Sequence, residues 1–179
     1  AHKKGDHLPQ TASGAEAGAL IAAALQGHDV GLVSEAGMPA IADPGSSVVR
    51  AAHDAGVDVV PLVGPTSLLL ALAASGLNGQ NFAFVGYVPS DGAQRVARLR
   101  ELEQLALRQG QTQIFIETPY RNPALMSALL QTLQANTRLS ISSGLTLESA
   151  RTQSCLVKQW KPLNPELDNR TPMVFAIGR

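Results

Sequence analysis

The 179-residue chain has one cysteine, one tryptophan, two tyrosines and four phenylalanines, and its fourteen Lys and Arg are matched by fourteen Asp and Glu. The single Cys155 excludes an internal disulfide and a cysteine-rich zinc site, which suits a reducing compartment; on a strand it reads as a small buried hydrophobe. A net charge of zero argues against electrostatic capture of nucleic acid, while leaving room for a small basic rim. No apolar run approaches the roughly 18 residues that a membrane span needs. The polar start, Ala1 to His7, has no signal-peptide core and reads as a tail or as the stump of something longer. There is no Gly-x-Gly-x-x-Gly and no Gly-x-x-x-x-Gly-Lys-Ser/Thr, so dinucleotide and nucleoside-triphosphate sites are disfavoured. A Gly-x-Ser-x-Gly elbow is also missing. His2 and His7 lie in the tail, His28 in a turn and His53 on an exposed helix face, so each reads as a solvated side chain rather than a base. No cluster has metal-ligand spacing.

What the chain does have is two apolar runs, each ending in a glycine and proline loop that opens a helix. The first runs from Val30 through Ser34-Glu35-Ala36-Gly37-Met38-Pro39 to Asp43-Pro44-Gly45. The second is Val57-Asp58-Val59-Val60-Pro61-Leu62-Val63-Gly64-Pro65-Thr66-Ser67. With a helix over Ser46 to Gly56 between them, they predict a βαβ unit whose loops lie at the carboxyl ends of parallel strands, the edge where open α/β sheets bind ligands. Asp43 is expected to cap that helix, with Pro44 in its first turn. A helix over Ala15 to Gln26, stopped at Gly27, precedes the unit. Another, over Thr66 to Ser75, is apolar almost all round and so belongs in a packed layer or at an interface.

Leu77-Asn78-Gly79-Gln80-Asn81 is a turn-rich gap, and the predicted domains are 1–78 and 79–179. Beyond it, strands are expected over Phe82 to Val88, Gln113 to Ile116, Leu139 to Ser142, Arg151 to Trp160 and Met173 to Ile177. Helices are expected over Asp91 to Arg108 and Pro123 to Gln134. The fold class is α/β, with a parallel-sheet N-terminal domain, a mixed-sheet C-terminal domain and a ligand cleft between them.

The loops carry the candidate chemistry. Gly37, Gly45 and Gly64 permit close backbone approach, and Thr66 and Ser67 offer hydroxyls and N–H groups at a helix start. Met38, Ile41 and Ala42 suit an apolar wall for a flat base. Glu35 and Glu117 each follow an apolar run at the predicted ligand edge, where a carboxylate can accept from a ribose hydroxyl or an amine. Tyr120 and Arg121 follow Glu117 closely. Arg121 is suited to an anionic group, or equally to pairing with an acid. Arg95, Arg98, Arg100 and Arg108, interleaved with Glu101 and Glu103, read as a solvated helix face.

Val33 to Gly45 resembles the Ser-Asp-Ala-Gly-Thr-Pro…Asp-Pro-Gly signature of the tetrapyrrole methylase superfamily. Val60 to Ser67 is similar to its Val-Pro-x-Pro-Gly-Pro stretch, and Phe115-Ile116-Glu117-Thr118-Pro119-Tyr120-Arg121 to its Phe-Tyr-Glu-Ser-x-His-Arg segment. The branch it resembles most is that of the ribosomal RNA small-subunit methyltransferase I, which methylates a cytidine ribose. The resemblance implies two α/β domains, S-adenosylmethionine as donor in the cleft, S-adenosylhomocysteine as product, a cytoplasmic location and a homodimer. Carried over residue by residue, it implies a donor site at Glu35, Gly37, Met38, Pro39, Ile41, Thr66, Ser67, Glu117 and Thr118. Glu117 and Arg121 are the catalytic candidates, as base and as anchor for an anionic acceptor, and no metal is implied.

Three departures accompany the resemblance. Relatives begin with a strand and a Pro-x-Pro-Ile-Gly-Asn loop that this sequence does not contain, so the expectation is a shortened protein or a fragment. Ser142-Ser143-Gly144-Leu145-Thr146-Leu147 stands where the rRNA branch has Arg-Glu-Leu-Thr-Lys. That branch also continues past the position of Arg179. The expected activity is methyl transfer to an rRNA ribose or a related acceptor. The alternatives are a donor-binding but inactive assembly protein and a corrin or porphyrin methylase. A nucleotide-binding α/β domain unrelated to methylation is a further reading.

Overall fold

A strand exists through its ladder, and among the described residues the ladders begin at Phe82. The computed structural model describes residues 14–34, 37–163 and 165–179. They form two compact units that divide between Thr66 and Ser67.

In the first unit, α1 (Gly14–Leu20) and α2 (Ala22–Leu25) replace the single expected helix, and α3 is Ser46–Asp54. Ala17, Ile21, Val48 and Ala52 make a small core between α1 and α3. Neither expected strand forms a ladder among the described residues: positions 28–34 and 57–65 carry no strand pairing. Their side chains show why. Val33 is 88% exposed, Val60 75% and Leu62 81%, so these side chains find no described neighbour to bury them, while Val57 packs on the small core. The α/β class holds, but the parallel sheet expected in this unit is a correction to the sequence reading.

The loop from Gly37 to Gly45 is tightly wound. Ala40 N–H donates to the Pro44 carbonyl at 3.2 Å and Ile41 N–H to the Met38 carbonyl at 3.4 Å. Ala40 and Ala42 sit at φ 64° and 56°, a left-handed backbone that alanine rarely adopts. Gly45, at φ 136°, is required on two counts: a Cβ there would lie 2.9 Å from Leu32 Cδ2 and 3.3 Å from Ala40 N. Asp43 does not cap α3. Gly45 is the N-cap and no side chain caps the helix, so Pro44 stays outside it. The Asp43 carboxylate instead accepts from the Ser34 hydroxyl and ties the two ends of the loop together.

The second unit is a five-stranded mixed sheet in the order β1-β2-β5-β3-β4. Its strands are β1 (Phe82–Tyr87), β2 (Thr112–Glu117), β3 (Arg138–Ser143), β4 (Arg151–Leu156) and β5 (Met173–Gly178). Only β1 and β2 run parallel; the other three pairings are antiparallel. One face is covered by α4 (Ser67–Ser75), whose Leu68, Ala71 and Leu72 pack on Ile114, Val174 and Ala176. The other face carries α5 (Gly92–Gln109), α6 (Asn122–Thr132) and α7 (Val157–Leu163) over Phe115, Leu139, Phe175 and Ile177. Burial on both sides accounts for the continuous apolar run of β5, every residue of which is buried.

Two sequence expectations change here. The units divide at Thr66/Ser67 rather than 78/79, because α4 buries its apolar face on the second sheet. The strand expected over Arg151 to Trp160 ends at Leu156; there Val157 N–H donates to the Thr137 carbonyl at 2.9 Å and the chain turns into α7. Trp160 is then buried and donates from Nε1 to the Leu139 carbonyl at 2.9 Å. Asp91 does cap α5, accepting from Gln94 N–H at 2.9 Å, and Gly110 closes it in the left-handed conformation.

Candidate functional site

β2 delivers a carboxylate to the end of the sheet. Glu117 is its last residue and pairs with Met173 of β5, which in turn pairs with Ser143 of β3. Thr118 is extended and Pro119 opens a short 3-10 turn, Pro119–Arg121, so the chain doubles back at once. The Glu117 side chain is buried. Its Oε1 accepts from Thr118 N–H at 2.8 Å and from Thr118 Oγ1 at 3.2 Å. Its Oε2 is buried and has no hydrogen-bond partner among the described residues. An ionisable oxygen in that position is costly unless something else fills it.

Arg121 follows one turn later. Its Nη1 lies 3.9 Å from Glu117 Oε1, a long contact. Its Nε and Nη2 both donate to the Tyr120 hydroxyl, at 3.0 and 2.7 Å, and its Cζ is 5.1 Å from the Tyr120 ring centroid. Arg121, and after it Thr118, hydrogen-bonds the Tyr120 phenol and holds its pKa below the ordinary tyrosine value. The same pairing pushes Arg121 up.

Asn122, which sequence reasoning missed, is fully buried beside this turn. Its Nδ2 donates to the Thr171 carbonyl at 3.0 Å, two residues before Met173, and its Oδ1 has no partner among the described residues. The available signal was the Asn-Pro pair opening a helix.

The remaining sequence candidates lie in the first unit or at its border. Gly37, Met38 and Pro39 are half-buried and Ile41 is exposed. A Cβ on Gly37 would be 3.5 Å from the Pro65 carbonyl oxygen, so the two glycine and proline loops run side by side. Thr66 is buried and Ser67 is the exposed first residue of α4. Glu35, like Ala36 and residues 1–13, lies outside the described residues. The second unit gathers Glu117, Thr118, Tyr120 and Arg121 at the end of β2, and the first unit sets Gly37 beside Pro65. Cys155 is half-buried on β4, and burial raises its thiol pKa. No group of three or more His, Cys, Asp and Glu among the described residues is placed to hold a metal, and no described helix is long and apolar enough to cross a membrane.

The profile of the family described as tetrapyrrole (corrin/porphyrin) methylases matches residues 2–160. The ribosomal RNA small subunit methyltransferase I of Mesorhizobium japonicum is 40% identical over 132 residues, 73% of this chain and 44% of that protein. The protein of the same name from Vibrio cholerae is 36% identical over 127 residues, 71% of this chain and 43% of that protein. The chain thus spans less than half the length of these relatives. Among solved structures, the methyltransferase CobJ superposes with a TM-score of 0.60 at 20% identity, covering 96% of this chain and 73% of CobJ. That likeness bears on the fold alone. Together with the motif order from Val33 to Arg121, the matched profile establishes that the chain belongs to the tetrapyrrole (corrin/porphyrin) methylase family.

Proposed function

We propose that this chain is an S-adenosylmethionine-dependent methyltransferase that acts on an rRNA ribose or a related acceptor. The observation that carries the reading is the 36 to 40% identity to ribosomal RNA small subunit methyltransferases I over nearly three quarters of the chain. The residues present fit such a donor. Glu117 Oε2 is a buried acceptor with no described group to accept from, and a nucleoside offers hydroxyls and amines. Thr118 would hold the carboxylate in place through its N–H and hydroxyl. In the first unit, the backbone at Gly37, Met38, Pro39 and Ile41 would line the donor, with Glu35 preceding them. Thr66 and Ser67 would add hydroxyls at the start of α4.

The donor supplies a methyl carbon on an activated sulfonium, so the protein has mainly to align the acceptor and exclude water. A hydroxyl acceptor must still lose a proton as its oxygen bonds to carbon. In this reading Glu117 would take it, and Arg121 would meet an anionic group of the acceptor. A cytoplasmic location and a homodimer accompany this reading.

A second reading has one observation in its favour. Ser142 to Leu147 carries neither the arginine nor the lysine of the rRNA branch, which suits donor binding without turnover or a different acceptor such as a tetrapyrrole.

The test is calorimetric titration of S-adenosylmethionine and S-adenosylhomocysteine into the protein and into Thr66→Ala/Ser67→Ala, followed by methyl transfer to small-subunit rRNA. Micromolar binding that the variant loses supports the donor site, and turnover then separates the two readings. An absence of binding refutes both. Full turnover by Glu117→Gln at saturating substrates would remove Glu117 as the base.

A further inference from the structure

Glu103 and Glu117 are both buried carboxylates of the second unit, and the fold treats them differently. Glu103, on α5, is filled. It accepts from Gln134 N–H at 2.7 Å and Thr137 Oγ1 at 2.5 Å on Oε1, and from Gln134 Nε2 at 3.5 Å on Oε2. Glu117 is filled on one oxygen only; its Oε2 is buried and has no partner among the described residues. A guanidinium and a carboxylate make the stronger, charge-assisted pair, and Arg121 sits one turn from Glu117. Yet two of its nitrogens are spent on a neutral phenol at 3.0 and 2.7 Å, while its Nη1 comes only to 3.9 Å of the carboxylate, at the Oε1 that Thr118 already fills.

We propose that Tyr120 is a positioning residue whose hydroxyl holds the Arg121 guanidinium off Glu117, leaving the buried Oε2 unpaired as the acceptor for an O–H or N–H of a nucleoside ligand. This rests on the donor-binding reading above and adds to it how the acceptor oxygen is kept available. The fork of Arg121 could otherwise fill Oε2 with a permanent ion pair, and a ligand hydroxyl would then have to displace a cation. Tyr120 is exposed, so its hydroxyl acts through Arg121 rather than by packing. The ring stays under the guanidinium when the oxygen is removed, which makes Tyr120→Phe a narrow change.

The experiment titrates S-adenosylhomocysteine into the wild type, Tyr120→Phe and Tyr120→Phe/Arg121→Ala, and determines crystal structures of the first two. Thermal melts confirm that all three fold. In Tyr120→Phe, Arg121 is expected to move to about 3 Å from Glu117, the range of a formed hydrogen bond. Affinity should fall by roughly tenfold, the worth of one hydrogen bond to a charged group. Removing the freed guanidinium in the double variant should restore wild-type affinity, which a purely structural role for Tyr120 would not do. Unchanged affinity in Tyr120→Phe, a double variant no tighter than Tyr120→Phe, or an Arg121 that stays in place would each overturn the proposal while leaving donor binding intact. No binding by any of the three proteins would overturn the donor reading and, with it, the ligand class named here.

Discussion

Gly178, the last residue of β5, is pressed against Leu77, and a single methyl group tests that contact. A Cβ built on Gly178 would sit 2.7 Å from Leu77 Cδ2 and 3.6 Å from Leu77 Cγ. Carbon atoms prefer separations of about 3.5 to 4.0 Å, so the overlap is near 1 Å. The backbone at Gly178 carries no positive φ, so the cost of Gly178→Ala is steric and falls on the end of one side chain. Overpacking of this kind costs about 1 to 3 kcal/mol, and the lower half of that range applies because Leu77 is only half-buried and can turn. Leu77→Ala alone gives up packing against the cluster of Leu68, Leu72 and Val174, about 1.5 kcal/mol for a half-buried leucine. In the double variant the new methyl fills part of the space that Leu77 leaves. Its loss should therefore be close to that of one single variant, a coupling of about 1 to 1.5 kcal/mol. Urea denaturation followed by the fluorescence of Trp160, the one tryptophan, measures all three. Gly79→Ala, with nothing within 4 Å of its Cβ, is the control and should be neutral. Additivity within about 0.5 kcal/mol would refute the contact, and with it the packing of the segment after α4 on the last strand.

Trp160→Phe removes the donor to the buried Leu139 carbonyl and should cost about 1 to 3 kcal/mol in a circular-dichroism melt; wild-type stability would contradict that bond. Glu103→Ala strands Gln134 N–H and Thr137 Oγ1 and should cost about 2 to 3 kcal/mol, with Glu103→Gln milder. Ala42→Gly relieves a left-handed alanine and should stabilise the first unit by about 1 kcal/mol; a lower melting temperature would show that the conformation costs nothing. Backbone N–H groups of Arg170 and Thr171 hold the Asp168 carboxylate below its ordinary value of 3.8. The turn's stabilisation is then complete above that value and is lost as pH falls through the lower folded one. An NMR titration of the Arg170 and Thr171 amides should have its midpoint below 3.8, and a midpoint at or above it would remove the turn.

The sequence showed an element well where its pattern and its neighbours agree. β5 and the Ile114-Phe115-Ile116 centre of β2 are short apolar runs covered on both faces, and α5 carries its own start and stop in Asp91 and Gly110. α7 was hidden because Val157 and Trp160 are as apolar and bulky as strand residues. What turns the chain is Val157 N–H reaching back to the distant Thr137 carbonyl. The runs at 28–34 and 57–65 have the composition of strands, but pairing depends on another segment lying alongside, which local composition does not supply. Asp43 looked like a cap because the caps it resembles sit next to a helix; Gly45 intervenes and Ser34 takes the carboxylate. At the candidate site, Glu117 stood out as a carboxylate closing an apolar strand. The grip of Tyr120 on Arg121 did not, since it depends on side-chain rotamers within a three-residue turn.

The unladdered run from Val57 to Pro65 has a consequence for how the protein behaves in a tube. Val57 packs on the small core, but Val60, Leu62 and Val63 face water, and the run's backbone amides and carbonyls form no described ladder. Exposed backbone of this kind is a template on which a foreign strand can add; Asp58 is the only charge within it to discourage that, and Pro61 and Pro65, which have no N–H to donate, shorten the template. Concentration, rather than temperature, is then the variable that decides whether preparations stay clear. A charged residue at Val60 or Leu62 would act as a gatekeeper in the colloidal sense without touching the second unit's core.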